Sequence, residues 1–143
     1  MVELNKSREN MNISDYDFHD GYIINMEHVN NKMKISMESA EISDEELKDD
    51  IILSNHDTIK GTLHIEGIKN FKINGAVFLE KFVKTYDEGN ISSFTIKGNK
   101  MILIISWINH APKIHEETDL FRIEIEGEKI YWENIPSLVN PFW

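Results

Sequence analysis

The 143-residue chain contains no cysteine. No disulfide framework can hold it, and chemistry that depends on a thiolate, as nucleophile or as zinc ligand, is excluded. The same absence favours a reducing compartment, and a cytoplasmic location is the expectation. Proline occurs only three times, always at or beyond Pro112. No Pro/Gly/Ser-rich linker, internal repeat or low-complexity stretch divides the chain. Its length is close to the commonest size of a single domain, and a chain of this size buries roughly two thirds of its unfolded surface without a staple. One domain over residues 1–143 is expected, with residues 1–12 frayed.

Long apolar runs are also missing. The longest, Met101 to Ile105 with Trp107 and Ile108 beyond Ser106, is far short of the roughly 20 residues that a membrane-spanning helix needs. Residues 1–12 are polar and carry no apolar core of a secretory signal, so no membrane association is expected. A basic stripe is lacking too. Lysine and arginine number 15 against 25 aspartates and glutamates, for a net charge of −10, which argues against a nucleic-acid partner. Such a balance favours solubility and, for a protein partner, a basic one. Lysine far outnumbers arginine, and isoleucine and asparagine are abundant, a bias that reads as the base composition of an AT-rich bacterial genome.

What is present is alternation. Centring a turn on Asn30-Asn31 pairs His28 with Met33, Met26 with Ile35 and Ile24 with Met37 on one face. The other face then pairs Glu27 with Lys34 and Asn25 with Ser36. A turn at Gly98-Asn99 sets Ile96 against Met101 and Phe94 against Leu103. The second strand of that hairpin is apolar on both faces, the mark of a central strand. A turn at Gly127-Glu128 pairs Ile125 with Ile130 and Ile123 with Trp132, with Arg122 opposite Glu133. Thr58 to Ile65 reads as a further strand, followed by Ile68, Phe71 and Ile73 after a phase break at Gly67, which suggests a bulge.

Two signals conflict after that. Asn74-Gly75 is a hairpin turn, whereas Phe78, Leu79, Phe82, Val83 and Tyr86 form a helical stripe. The stripe predicts a helix across about Ala76 to Tyr86. Ser43-x-x-Glu46 reads as a capping box or an acidic loop. The expected fold is mainly β: an antiparallel sandwich or strongly curved sheet built from consecutive hairpins, with one short helix. Its core is expected to hold Met26, Ile35, Met37, Leu63, Ile65, Phe94, Leu103, Ile105, Trp107, Ile123, Ile125 and Trp132.

No motif specifies a chemistry. Neither a Gly-rich phosphate loop nor a Gly-x-Ser-x-Gly elbow occurs. The adjacent pair His19-Asp20 resembles the metal-binding signature of a large hydrolase family, in which it sits on a helix of an all-helical domain. Here it precedes a strand, and the simpler reading is a turn in which Gly21 relaxes entry to that strand, Asp20 bonds local backbone and His19 is half buried. Of the other histidines, His64 is out of phase with Leu63 and Ile65 and should face away from the core. His28 should lie at the core edge. His110 and His115 flank a proline at a spacing that is not diagnostic of a metal site, and no metal or cofactor is called for. Glu45, Glu46, Asp49 and Asp50 belong to an acidic run, either a solvated loop or a docking surface for a basic protein. Phe142 and Trp143 end an aromatic tail that should fold back on its own domain. The alternative for the tail is a contact between two copies in a homodimer.

Phe18-His19-Asp20-Gly21-Tyr22-Ile23 with the Asn-Asn hairpin, and Gly98-Asn99-x-Met101-Ile102-Leu103 running to Trp107, are similar to segments of small β-rich bacterial proteins of uncharacterised families. Some of those resemble the immunity partners encoded beside secreted bacterial toxins. The resemblance implies a binding role and assigns no catalytic residue. The expectation is therefore a non-enzymatic, immunity-like protein-binding domain with an acidic surface for a basic partner. The alternative is a metal-dependent hydrolase or small-ligand-binding protein using His19 and Asp20, so the presence of an enzymatic activity is left open.

Overall fold

A computed structural model describes residues 13, 16, 18–42, 51–78, 88–108 and 119–136. They form seven strands: β1 (Tyr22–Val29), β2 (Lys32–Glu38), β3 (Lys60–Ile73), β4 (Ala76–Val77), β5 (Glu88–Lys97), β6 (Lys100–Ile108) and β7 (Asp119–Asn134). The strand order is β2-β1-β5-β6-β7-β3-β4, every pairing is antiparallel, and β2 also pairs with β3. That last pairing closes the sheet into a ring. Of the two expected architectures, the strongly curved sheet is the one adopted.

The first hairpin follows the alternation almost throughout. Asn30 has φ 56°, a left-handed conformation that asparagine tolerates, and Met26↔Ile35, His28↔Met33, Glu27↔Lys34 and Asn25↔Ser36 pair as expected. The departure is at the strand entry. A bulge between Ile23 and Asn25 gives Met37 to Ile23, so the expected Ile24–Met37 pair does not form. Ile24 is the extra residue and turns outward, whereas Ile23 enters the core. The Gly98-Asn99 hairpin has its expected register, with Ile96↔Met101 and Phe94↔Leu103.

The Gly127-Glu128 turn does not exist. β7 is one continuous 16-residue strand. Ile125 pairs with Phe71 and Met101, Ile123 with Ile73 and Leu103, Ile130 with Ile65, and Trp132 with Leu63. Closure of the ring explains why. From Ile23 the register runs through Met37 and Gly61 to Asn134 in one direction, and through Gly89 and Trp107 to Asp119 in the other. The two routes meet on opposite ends of the same strand. A tilted, closed sheet needs such a stagger, and only a strand as long as β7 can span it. β3, at 14 residues, wraps beside it, with Gly67 at φ 64° and a register shift between Ile68 and Asn70 at the place where the sequence breaks phase.

At Asn74-Gly75 the hairpin turn forms. Both residues have positive φ, 54° and 84°, as a two-residue hairpin turn requires. The Asn74 side chain accepts the Arg122 backbone N–H at 2.8 Å. Ala76 and Val77 are strand, which corrects the start of the expected helix; residues 79–86 of that helix, and the capping box at 43–46, lie outside the described residues.

All twelve positions expected in the core are buried. Two tryptophans dominate the interior, each against a glycine. A Cβ on Gly89 would come within 2.6 Å of the Trp107 ring, and one on Gly61 within 2.7 Å of the Trp132 ring. Phe18, from the segment before β1, sets its ring at 5.3 Å from Phe94 and 6.0 Å from Trp132, both edge-on.

On the outer face of β7, burial pushes the Glu124 carboxyl up, but Lys100 at 3.3 Å and Arg122 at 3.5 Å outweigh burial and hold it below its ordinary 4.5. A carboxylate lowered on folding stabilises the fold above the unfolded-state value, and that contribution is lost as pH falls through the folded-state value. Titration followed by NMR should therefore place Glu124 below 4.5, and Lys100→Gln should raise it. A Glu124 that titrates at or above the ordinary value would show that the cluster does not form in solution.

Candidate functional site

Where residues alternate inward and outward, the outward set of four adjacent strands forms a polar lattice. Lys34 pairs in register with Glu27 on β1 and with His64 on β3, and His64 in turn pairs with Tyr131 on β7. One step along, Lys32 lies opposite Glu66, and Glu66 opposite Lys129. One step the other way, Ser36 and Thr62 place their hydroxyls 3.3 Å apart, with Glu133 beyond Thr62.

Diagonal contacts fix the β3–β7 part of this lattice. His64 Nε2 lies 2.8 Å from Glu133 Oε1, and its ring stacks on Tyr131 at 4.7 Å with planes only 5° apart. Tyr131 Oη donates to Glu66 at 3.0 Å, and the Lys129 ammonium sits 4.9 Å from the Tyr131 ring centre. His64 is nearly buried, with 12% of its side chain exposed. Between these groups and β1–β2 runs a groove of about 420 Å³, lined by Glu27, Lys32, Lys34, His64, Glu66 and Tyr131 among others. This volume is in the range of small-molecule sites.

His64 faces away from the core as its phase predicts, but the sequence did not bring it together with Glu66, Tyr131 and Glu133. The expected Gly127 turn placed Glu133 opposite Arg122 instead. Only the long β3–β7 register assembles the cluster.

His19 and Asp20 lie on the turn before β1. Asp20 has φ 68°, Gly21 N–H donates to Phe18 O at 2.9 Å, and Asp20 N–H to Ile91 O at 3.0 Å. With Ile91 N–H donating to Gly21 O at 2.8 Å, this turn extends the short β1–β5 seam, which otherwise has only Tyr22↔Asn90 and Ile23↔Gly89. His19 Nδ1 and Asp20 Oδ2 are 3.3 Å apart and well exposed, so His19 is not half buried as the turn reading expected. Among the described residues, no group of three His, Asp or Glu side chains could hold a metal.

A second polar cluster anchors the connection between β2 and β3. Glu38 is buried and accepts hydrogen bonds from Tyr22 Oη at 2.6 Å and from Thr58 Oγ1. Thr58 also meets Ser54 Oγ at 2.6 Å. Ser39 and Ile59 bond through their backbones, Ser39 Oγ accepts Ile59 N–H, and Ile42 N–H donates to Asp57 O. Ile42 and Ile51, the residues on either side of segment 43–50, are both buried. Segment 43–50, which holds Glu45, Glu46, Asp49 and Asp50, lies outside the described residues, as do His110, His115, Phe142 and Trp143. No transmembrane-length apolar helix occurs among the described residues.

Comparison of the chain with protein-family models, with curated proteins and with solved structures finds no match in any of the three.

Proposed function

We propose that the chain is a non-enzymatic protein-binding domain, immunity-like in type, that presents its β2–β3 connection to a basic partner. The observation that carries this reading is how charge is distributed on the fold. The described residues hold twelve carboxylates against nine lysine and arginine side chains, close to balance. Segment 43–50 alone holds five carboxylates and one lysine. The residues that flank it, Ile42 and Ile51, are buried, and the Glu38–Thr58–Ser54 network fixes the neighbouring backbone. Ile52 and Ile135 are exposed, and Asn134 Nδ2 ties the two positions together by donating to Ile52 O at 2.8 Å. Exposed apolar side chains near the ends of a carboxylate-rich segment suit a protein interface steered by charge. Among the described residues, His19 and Asp20 are joined by no third His, Asp or Glu able to complete a metal site.

The test is capture from the native host followed by titration of the captured protein. Affinity should fall roughly tenfold or more between about 0.05 and 0.5 M salt, because exposed charges are screened over that range. Replacing Glu45, Glu46, Asp49 and Asp50 with their amides should remove most of that dependence. Binding indifferent to salt, or unchanged in the amide variant, would overturn the acidic docking surface.

A further inference from the structure

We propose that Asn74 is a site of spontaneous covalent modification by water. Its side-chain amide is lost through a cyclic imide formed with the backbone of Gly75, which leaves aspartate or isoaspartate in the turn between β3 and β4. The site is separate from the β2–β3 connection and does not depend on the docking role.

Asn74-Gly75 is the one Asn-Gly pair of the chain. Ring closure needs the Gly75 nitrogen to reach Asn74 Cγ, and a residue without a Cβ permits that close approach. Both residues are exposed, and a Cβ built on Gly75 would meet nothing within 4 Å. Among the described residues the Gly75 N–H has no hydrogen-bond partner, so its nitrogen is not tied to the sheet. Arg122 N–H donates to Asn74 Oδ1 at 2.8 Å, the oxygen on which negative charge develops during attack, and a donor there favours the reaction. Closure also turns the Asn74–Gly75 peptide out of its hairpin geometry. The strand that follows resists this little: β4 has two residues, lies at the edge of the sheet, and is held by Lys72↔Val77, Ile73↔Ala76 and the bond from Phe78 N–H to Phe71 O. Edges bonded so lightly open at low cost.

The chemistry needs water alone. The Gly75 nitrogen bonds to Asn74 Cγ and gives up its proton, the Cγ–Nδ2 bond breaks, and Nδ2 leaves with that proton as ammonia. Water then adds to one of the two imide carbonyls and breaks its bond to the shared nitrogen. Opening at Cγ gives aspartate. Opening at the main-chain carbonyl gives isoaspartate and lengthens by one methylene the turn that now pairs Ile73 with Ala76. Asp20-Gly21, which could form the same imide with loss of water, is closed to it by the fold. Gly21 N–H is bonded to Phe18 O at 2.9 Å, Asp20 N–H and Gly21 O are both bonded to Ile91, and the Glu38 backbone packs against Gly21.

The experiment incubates the folded full chain and the same chain in urea side by side in mildly alkaline buffer. Mass spectrometry of the peptide that spans Asn74 follows replacement of its amide by a hydroxyl, and the same digests report isoaspartate at Asp20. The folded rate at Asn74 should lie within about tenfold of the rate in urea, which corresponds to a turn that opens for no more than about 1.4 kcal/mol. At Asp20 folding should slow the reaction by more than that factor. Asn74→Gln should lose the acidic species that the folded parent accumulates on ion exchange. A folded rate at Asn74 more than about tenfold below the rate in urea, equal protection of Asn74 and Asp20, or an acidic species that forms undiminished in Asn74→Gln would overturn the site.

Discussion

Trp132→Ala should destabilise the fold by about 3–5 kcal/mol, the range for removal of a buried aromatic ring. Trp132 is 1% exposed, and three separate features converge on it. Phe18 approaches its ring edge-on at 6.0 Å, Asn134 Oδ1 accepts its Nε1–H at 3.2 Å, and Gly61 opens the space that it fills. Collapse into the cavity is hindered because the neighbouring walls belong to a closed ring of strands. Domains of this size have total stabilities of about 5–15 kcal/mol, so the variant should sit near the limit of folding. Urea denaturation measures the loss, and a difference below about 1 kcal/mol would mean that the ring is not enclosed as described.

The second large effect separates two glycines that look alike in the sequence. At Gly61 an added Cβ would collide with the backbone oxygen of Glu133 and stand 3.0 Å from the Ile135 nitrogen. That backbone cannot retreat, because Gly61 is in the β3–β7 ladder and Ile135 N–H is bonded to Lys60 O at 2.8 Å. Gly61→Ala should therefore cost about 3 kcal/mol, the upper end of the range for overpacking. At Gly89 the obstacles are side chains: the Trp107 ring at 2.6 Å and Ile105 Cγ2 at 3.0 Å. Gly89→Ala should consequently be relieved in part by Trp107→Phe, so that the double variant is less destabilised than the sum of the two singles. Gly61→Ala combined with Trp132→Phe should show little such relief, since the carbonyl remains. Double-mutant cycles read the difference directly, and equal coupling at both pairs would contradict it.

The parts of this fold that were legible in the sequence are the local ones. Asn30, Gly98 and Asn74-Gly75 mark tight turns, and alternation on both sides of the first two sets the register by matching apolar partners. Every core position read from that alternation is buried, because a strand with one covered face leaves its inward residues no choice. The misreadings come from non-local constraints. Gly127-Glu128 has the composition of a turn, and the apolar residues around it pair plausibly across it. What overrides the turn is ring closure, which brings Gly127 against Ile65 and Glu66 some sixty positions earlier in the chain. Nothing within ten residues of Gly127 encodes that. The outer-face groove was hidden for the same reason. Lys34, His64 and Tyr131 each read as the polar half of an alternating strand, and only the order of the strands places them side by side. The Ile23–Asn25 bulge is a smaller instance: alternation runs through Ile24 without interruption, and the seam with β5 at Gly89 selects Ile23 for the interior.

The continuity of β7 across Gly127 is the claim on which the ring, the network at the β2–β3 connection and the groove all depend. Cross-strand NOE contacts test it most directly. Ile125 should show backbone contacts to Met101 and Phe71, and Ile130 to Ile65, with no contact between Ile125 and Ile130. Strong contacts from Ile125 to Ile130 and from Ile123 to Trp132 would instead be those of a hairpin turning at Gly127, and they would contradict the closed sheet.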